Sequence, residues 1–240
     1  MTIQGKRALV TGGSRGIGAD IVRQLLDAGA KVLTTARSST ATVPTGAAFV
    51  EADVRTRQGT EALVKAANEE LGGIDILINN AGASTVVPAG ATAIPDEDWQ
   101  DALDVNFLSS VRLNALVLPQ MKERRSGSIV HISSVVAFAP AGPMLHYAAA
   151  KGALETYSRG LAIDVAPFGI TVNAVSPGNI STPGGDTARD LLSAGGTIAP
   201  LGRTGVPADI ANLVTFLVSE QAEWITGQRF TVDGGEFPYR

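Results

Sequence analysis

The strongest constraint on the fold of this chain is a regular alternation between short apolar runs and longer amphipathic stretches. The apolar runs have the length of β-strands, as in Arg7–Thr11 and Ile76–Asn79, and segments with helical periodicity separate most of them. Such alternation favours parallel strands, because a parallel connection has to cross back over the sheet. The sequence therefore predicts an α/β fold that is doubly wound, with a parallel sheet of about seven strands and helices on both faces.

The pattern also predicts the domain organisation. No linker-like stretch precedes residue 178, and no internal repeat is present, so we expect a single Rossmann-type domain over residues 1–240. The 240 residues, 45% of them hydrophobic and 18% charged, suffice for one large core. Residues 178–206 are rich in Gly, Pro, Ser and Thr, and the part from about 183 to 206 is predicted to be a substrate lid.

Charge and composition argue against several classes of function. The net charge is −4, and no basic stripe suggests a nucleic-acid partner. The absence of cysteine excludes disulfides, thiol catalysis and cysteine-ligated metals. No signal peptide and no apolar stretch long enough to span a bilayer is evident, so the sequence favours a cytoplasmic protein without a membrane partner.

A glycine-rich loop, TGGSRGIG at residues 11–18, lies between the first predicted strand and the first predicted helix. Backbone N–H groups at such a helix start can bind a phosphate. Gly12, Gly16 and Gly18 have a spacing that differs from the standard dinucleotide motif G-x-G-x-x-G. By itself the loop fits either a phosphate site or a glycine-rich turn without a ligand.

A second set of polar residues follows the later strands. Tyr147 and Lys151 are four residues apart and share one face of a predicted helix, 146–167. Ser134 lies thirteen residues before Tyr147, at the carboxyl end of the fifth strand, where open α/β sheets bind ligands. Asn106 lies within a long helix predicted from about residue 95 to 122.

In this order, and together with the motif NNAG at residues 79–82, these motifs resemble those of the short-chain dehydrogenase/reductase family. The resemblance runs from about Gly5 to Gly235, and the segments GKRALVTGGSRGIG and ITGQRFTVDGG resemble the β-ketoacyl carrier-protein reductase branch. This family resemblance implies that the protein reduces a ketone by hydride transfer and needs no metal.

The resemblance implies a role for each catalytic candidate. Tyr147 would be the general acid in reduction and the base in oxidation, and Ser134 would polarise the substrate oxygen. Lys151 would lower the pKa of Tyr147 and hold the nicotinamide ribose, and Asn106 would hold a water that leads to Lys151. The implied cofactor-binding residues are Gly12, Ser14, Arg15, Gly16, Ile17, Gly18, Arg37, Ser38, Asp53, Val54, Asn80, Ala81, Gly82, Tyr147, Lys151, Pro177, Gly178, Ile180 and Thr182.

The end of the second strand favours NADP(H) over NAD(H). An NAD enzyme usually has an acidic residue here for the adenosine ribose hydroxyls, and this chain has Ala36. Arg37 follows it, and Arg15 lies in the glycine loop, so that two guanidinium groups could flank a 2′-phosphate. The alternative is that both arginines are solvated surface charges.

The sequence leaves open the direction of the reaction, whether the protein is a catalyst, and the identity of the substrate. The enzyme could work as an alcohol dehydrogenase in the oxidative direction, or the fold could serve a non-catalytic dinucleotide-sensing regulator, although Ser134, Tyr147 and Lys151 are all retained. The small-molecule substrate is a carbonyl or alcohol compound whose predicted pocket walls are mostly apolar. These walls are Ser84, Val135, Val136, Phe138, Met144 and Asn179.

Apolar surplus on two long helices, 96–122 and 146–167, predicts a homotetramer, with a dimer as the alternative. A second interface is predicted at the C-terminal segment Trp224–Arg240, which ends the sheet. Next to the catalytic candidates, His146 is predicted to lie at a rim or an interface, and His131 to pack inside its strand.

Overall fold

The computed structural model describes residues 3–38, 41–182 and 199–237. Seven parallel strands form one sheet in the order β3-β2-β1-β4-β5-β6-β7. The strands are β1 Arg7–Thr11, β2 Lys31–Ala36, β3 Ala48–Glu51, β4 Ile76–Asn79, β5 Gly127–Ile132, β6 Ile170–Pro177 and β7 Arg229–Val232. The prediction of a doubly wound parallel sheet is confirmed.

Helices cover both faces of this sheet. They are α1 Gly16–Asp27, α2 Arg57–Leu71, α3 Asp96–Leu103, α4 Ser109–Arg124, α5 Leu145–Val165 and α6 Pro207–Leu217. α1 and α6 pack on one face, where Ile21 and Val214 belong to a fully buried cluster with residues of β1 and β5. α2, α4 and α5 cover the other face, where Leu63, Leu113 and Val165 are buried against the same strands. Strands β1 and β4 are buried on both faces, which explains their nearly continuous apolar sequence.

The long helix predicted from about residue 95 to 122 differs from the prediction at its centre. α3 and α4 are separated by one π-helical turn, Asp104–Leu108, which widens the helix by one residue. The N-terminal turn carries three acidic residues, and Lys122 and Arg124 lie in the last turn, as the helix dipole favours. The helix ends at Arg125, which adopts a left-handed conformation with φ 53°.

The carboxyl ends of all seven strands meet at one edge of the sheet because the strands are parallel. The glycine loop follows β1, NNAG spans the end of β4, and Ser133 and Ser134 follow β5. The residues singled out in the sequence therefore lie along a single edge. Among the described residues, no helix is long and apolar enough to cross a membrane.

Candidate active site

A cavity of about 570 Å³ opens at the carboxyl ends of β1, β2 and β4. Thirteen predicted cofactor residues line it: Gly12, Ser14, Arg15, Gly16, Ile17, Gly18, Arg37, Ser38, Val54, Asn80, Ala81, Gly82 and Thr182. The remaining lining residues are Thr35, Ala36, Ala41, Thr42, Ala52, Arg55, Ala83 and Val105. The structure thus brings together one cluster of residues that the sequence separates by up to 170 positions.

The glycine loop is shaped by close backbone contacts. Gly12 has φ +70°, a backbone conformation that residues other than glycine rarely adopt. A Cβ on Gly18 would lie 2.2 Å from the carbonyl oxygen of Gly12, so only glycine fits at the first turn of α1. The first turn of α1 carries no acidic residue, and Arg15 makes no side-chain cap. The helix start therefore presents N–H groups to the cavity, which suits a phosphate.

Asn80 holds this loop against the end of β4. Its Nδ2 donates to the carbonyl oxygens of Thr11 at 2.8 Å and Gly12 at 3.1 Å. The Thr11 hydroxyl in turn accepts from the backbone N–H groups of Asn80 and Ala81, at 3.0 and 2.9 Å. These bonds fix the geometry of the loop before any ligand binds.

Two exposed arginines stand at the mouth of the cavity. Arg15 follows the glycine turn and Arg37 follows β2, and both line the cavity. A third cavity arginine, Arg55, was missed in the sequence. It is paired with Asp101 at 2.5 Å, and this pair raises the pKa of Arg55 despite partial burial. Its position directly after Asp53–Val54 was the available signal.

Several predicted cofactor residues lie outside this cavity. Asp53 accepts a hydrogen bond from the Arg55 backbone N–H at 3.0 Å and does not line the cavity. Pro177 ends β6, Gly178 packs against Asp233, and Ile180 is buried in a backbone bridge to Gly205. Tyr147 and Lys151 also lie outside the cavity itself. The part of the predicted lid at residues 183–198 lies outside the described residues.

Lys151 is almost fully buried on α5, with 3% of its surface exposed. Its Nζ donates to the backbone carbonyl of Ile132 at 2.8 Å and lies 5.7 Å from the centre of the Tyr147 ring. The Tyr147 hydroxyl is hydrogen-bonded to Ser134. The serine, the tyrosine and the lysine are therefore one contiguous group at the carboxyl end of β5.

Burial dominates the acid–base behaviour of this group. It lowers the pKa of Lys151 to about 8, although the nearby Glu155 carboxylate acts in the opposite direction. It raises the pKa of Tyr147, and the hydrogen bond with Ser134 offsets only part of that rise. The net pKa of Tyr147 is therefore raised, because desolvation of the phenolate is the largest effect, and a lowering of this pKa by Lys151 stays a prediction.

Asn106 lies in the π-helical turn between α3 and α4 and is 1% exposed. Its side chain bridges to Ala83: Nδ2 donates to the Ala83 carbonyl at 2.8 Å, and Oδ1 accepts from the Ala83 N–H at 3.2 Å. A Cβ added to Gly82 would lie 2.9 Å from Asn106 Oδ1 and 3.6 Å from Lys151 Nζ. Gly82 thus packs closely beside both the amide of Asn106 and the ammonium of Lys151.

The predicted substrate side has one aromatic wall. Phe138 is 37% exposed and packs edge-to-face against Phe237, with ring centres 6.5 Å apart. The guanidinium of Arg229 stacks on Phe138 at 4.2 Å. Asn179 donates to Glu236 at 2.5 Å, which ties the C-terminal segment to the loop after β6.

Of the two histidines near the site, His131 is buried as the sequence predicts, and His146 lies elsewhere than predicted. His146 is 2% exposed and packs edge-on against Trp99, so the prediction of a rim position is wrong: the start of α5 is covered by α3. His131 is buried, and its ring nitrogens contact Asn114 and Ser158. Burial lowers the pKa of His131 to about 3, which keeps the ring neutral at physiological pH.

Comparison with known proteins adds to this geometry. Residues 12–236 match a family model described as enoyl-(acyl carrier protein) reductase. The chain is 38% identical to the 3-oxoacyl-[acyl-carrier-protein] reductase FabG of Escherichia coli, with 99% of both chains covered. It is 37% identical to the FabG protein of Vibrio cholerae, again with 99% of both covered.

A solved structure shows the same architecture. L-Sorbose reductase from Gluconobacter frateurii, complexed with NADPH and L-sorbose, superposes with a TM-score of 0.90. The two proteins are 32% identical, and the match covers 100% of this chain and 99% of the other. Fold, motif order and full-length similarity agree, and the chain therefore belongs to the short-chain dehydrogenase/reductase family of oxidoreductases.

Proposed function

We propose that the protein reduces a ketone to an alcohol with NADPH. The observation that carries this proposal is the contiguous group of Ser134, Tyr147 and Lys151 at the same sheet edge as the 570 Å³ cavity. A bound nicotinamide would supply the hydride to the carbonyl carbon. The residues of this chain bind and orient the reactants and deliver the proton.

Proton delivery falls to Tyr147. As hydride reaches the carbonyl carbon, negative charge develops on the oxygen, and the phenol transfers its proton there. Ser134 donates a hydrogen bond to the same oxygen and polarises it. Lys151 stabilises the phenolate that remains, and a water held near Asn106 and Lys151, which both lie beside Gly82, would reprotonate it.

A protonated Tyr147 at neutral pH suits the reductive direction. A tyrosine with a pKa above its usual value near 10 keeps its proton at neutral pH, as a general acid requires. Oxidation would need the phenolate and therefore a higher pH. A non-catalytic dinucleotide sensor would not need the Ser134–Tyr147 contact beside a buried lysine, and this contact favours the enzyme over the sensor.

The cavity fits a dinucleotide with an extra phosphate. Gly12 and Gly18 leave room for a pyrophosphate at the start of α1, and Ala36 leaves the end of β2 without a carboxylate. Arg15, Arg37 and Ser38 line the mouth and would hold the 2′-phosphate of NADPH. The similar sorbose reductase is itself complexed with NADPH. We place this activity in the cytoplasm, where NADPH is supplied.

A substrate panel tests the activity. Purified protein is mixed with NADPH or NADH and with two ketone types, a 3-oxoacyl thioester and a ketose, because the similar proteins are named for these. We expect NADPH oxidation, read as loss of nicotinamide absorbance, with at least one ketone and a slower rate with NADH. A protein that binds NADPH but oxidises it with no ketone would support the sensor instead.

We propose further that the protein assembles as a homotetramer through α4, α5 and the C-terminal segment. Leu113, Val117 and Leu154 are used inside the subunit, where they are fully or almost fully buried. A second set on α5 and on the turn before α4 stays exposed or half-buried: Leu108, Ala149, Tyr157, Gly160, Leu161 and Ile163. Trp224, near the last strand, is 97% exposed. Such surfaces support subunit contacts.

Light scattering at micromolar concentration checks the assembly. We expect four times the chain mass of 24.7 kDa for the native protein. Trp224→Glu should reduce the mass to a dimer, because it puts a charge into the C-terminal interface and leaves the helix interface intact. A fully active monomer would contradict both interfaces.

A further inference from the structure

Glu155 is a buried carboxylate for which the proposed mechanism has no use. It lies one helical turn beyond Lys151 on α5 and is 5% exposed. Its Oε1 accepts hydrogen bonds from the hydroxyls of Ser133 at 2.9 Å and Ser176 at 2.8 Å. Its Oε2 lies 3.4 Å from the guanidinium of Arg229. One carboxylate thus joins α5 to the carboxyl ends of β5 and β6 and to the start of β7.

The end of β5 shows how Glu155 relates to the catalytic group. Three successive residues contact three positions of α5 that are four residues apart. The Ile132 carbonyl accepts from Lys151, the Ser133 hydroxyl donates to Glu155, and Ser134 is hydrogen-bonded to Tyr147. Tyr147, Lys151 and Glu155 therefore form one continuous face of the helix. The end of β5 therefore fixes the positions of Tyr147, Lys151 and Glu155 relative to the sheet.

A purely structural role for Glu155 would explain its hydrogen bonds but not the burial of a charged carboxylate. A neutral amide oxygen could also accept the two serine hydroxyls, and a buried charge costs desolvation energy unless it is paired. Arg229 at 3.4 Å is a loose partner, and it also stacks on Phe138. Among the described residues, the other buried charge within one turn of Glu155 is the ammonium of Lys151, which donates its hydrogen bond to a backbone carbonyl and not to a carboxylate.

Three elements bring titratable or charged groups close to Lys151 and Glu155. Tyr147 and Glu155 face Lys151 from α5, neutral His131 lies on β5, and Arg229 approaches from β7. Burial lowers the pKa of Lys151 to about 8, and the Glu155 carboxylate counteracts part of that lowering. Arg229 offsets part of the carboxylate's charge. The protonation of Lys151 therefore depends on burial and on Glu155, whose negative charge Arg229 partly compensates.

We propose that Glu155 is a positioning residue for the reduction: its buried carboxylate is the counter-charge of Lys151, one helical turn away, and it holds the end of β5 that keeps this ammonium beside Tyr147. This inference rests on the proposed function, because it assigns Glu155 a task within the same site. Loss of the charge would leave a neutral amine beside the phenol at pH values where the native enzyme still has an ammonium.

The test compares the pH dependence of turnover and of NADPH affinity in matched variants. Glu155→Gln keeps the size and a hydrogen-bond acceptor and removes the charge. We expect the alkaline limb of kcat, where Lys151 loses its proton, to move down by about one pH unit. NADPH affinity, followed by protein fluorescence, should weaken over the same pH range, because the ammonium also holds the ribose. Glu155→Asp should restore most of the native profile.

Arg229→Gln should shift the alkaline limb of kcat in the opposite direction. Removing this cation leaves the Glu155 carboxylate less compensated, so the alkaline limb should move up. Ser176→Ala is the structural control: it removes a hydrogen bond to Glu155, lowers the melting temperature and leaves the limb in place. The Arg229→Gln shift carries the test if Glu155→Gln does not fold.

The outcomes separate the two proposals. A Glu155→Gln protein that melts earlier but keeps the native pH profile would overturn the role of Glu155, as would an Arg229→Gln profile that moves in the same direction as Glu155→Gln. Both results require an active native enzyme. Failure of the native protein to reduce any ketone would instead overturn the proposed function.

Discussion

Tyr147→Phe is expected to reduce ketone turnover by about a hundred- to ten-thousand-fold, the usual contribution of a positioned general acid. The substitution removes the transferable proton and keeps the ring, which lies 5.7 Å from the Lys151 ammonium. The cofactor cavity is lined by other residues, so NADPH affinity should change little. Steady-state kinetics and fluorescence titration with NADPH measure the two quantities separately.

Tyr157→Phe is the matched control. This tyrosine lies on the same helix, is half-buried, and its hydroxyl accepts from Asn114 at 3.3 Å, away from Ser134. Its loss should lower stability slightly and leave turnover near the native value. Turnover by Tyr147→Phe within a few-fold of native would contradict the assignment of the proton donor.

Arg37→Asp should produce the second large effect, a change of cofactor preference. A charge-assisted bond to a phosphate is worth about 1.5–3 kcal/mol, and a carboxylate in its place repels the phosphate. We expect the KM for NADPH to rise by about a hundredfold, since each 1.4 kcal/mol is a factor of ten. The KM for NADH should fall, because an aspartate after the second strand can accept from the ribose hydroxyls.

Arg37→Gln and Arg57→Asp make this test specific. The glutamine removes the charge without adding repulsion, so its effect on NADPH should be intermediate. Arg57 is exposed at the start of α2 and does not line the cavity, so its replacement changes the net charge equally and should leave both KM values unchanged. Equal binding of NADH and NADPH by the native protein would contradict the role assigned to Arg37.

The fold could be predicted because local and global signals agree. Strands such as Ile76–Asn79 are continuous apolar runs, and amphipathic stretches separate most of them, so the parallel arrangement follows from the connections. The edge at which the site lies follows as well, because Gly12 and Asn80 come directly after strands and Ser134 comes two residues after one. The thirteen cavity residues named in advance came from the family resemblance, which maps residues onto these strand ends.

The features that escaped prediction depend on tertiary contacts. The π-helical turn at Asp104–Leu108 has no periodicity signal, because one extra residue in a helix disturbs an apolar stripe only locally. The raised pKa of Tyr147 depends on how many atoms surround the hydroxyl, which the Tyr-x-x-x-Lys spacing does not report. Glu155 has the spacing of an ordinary helix residue, and its significance appears only when Ser133, Ser176 and Arg229 converge on it.

The bridge between Ile180 and Gly205 has a consequence for how such enzymes diversify. Backbone hydrogen bonds join Ser181 to Gly205 at 2.8 Å and Gly205 to Asn179 at 3.0 Å, so the chain returns to its starting point before α6 begins. The entropy of closing a loop grows only slowly with its length. The length of chain between the two ends of this bridge can therefore change without displacing Ser134 or Tyr147. Under the prediction that this stretch forms the substrate lid, selection can alter which ketone is accepted while the reaction chemistry is inherited unchanged.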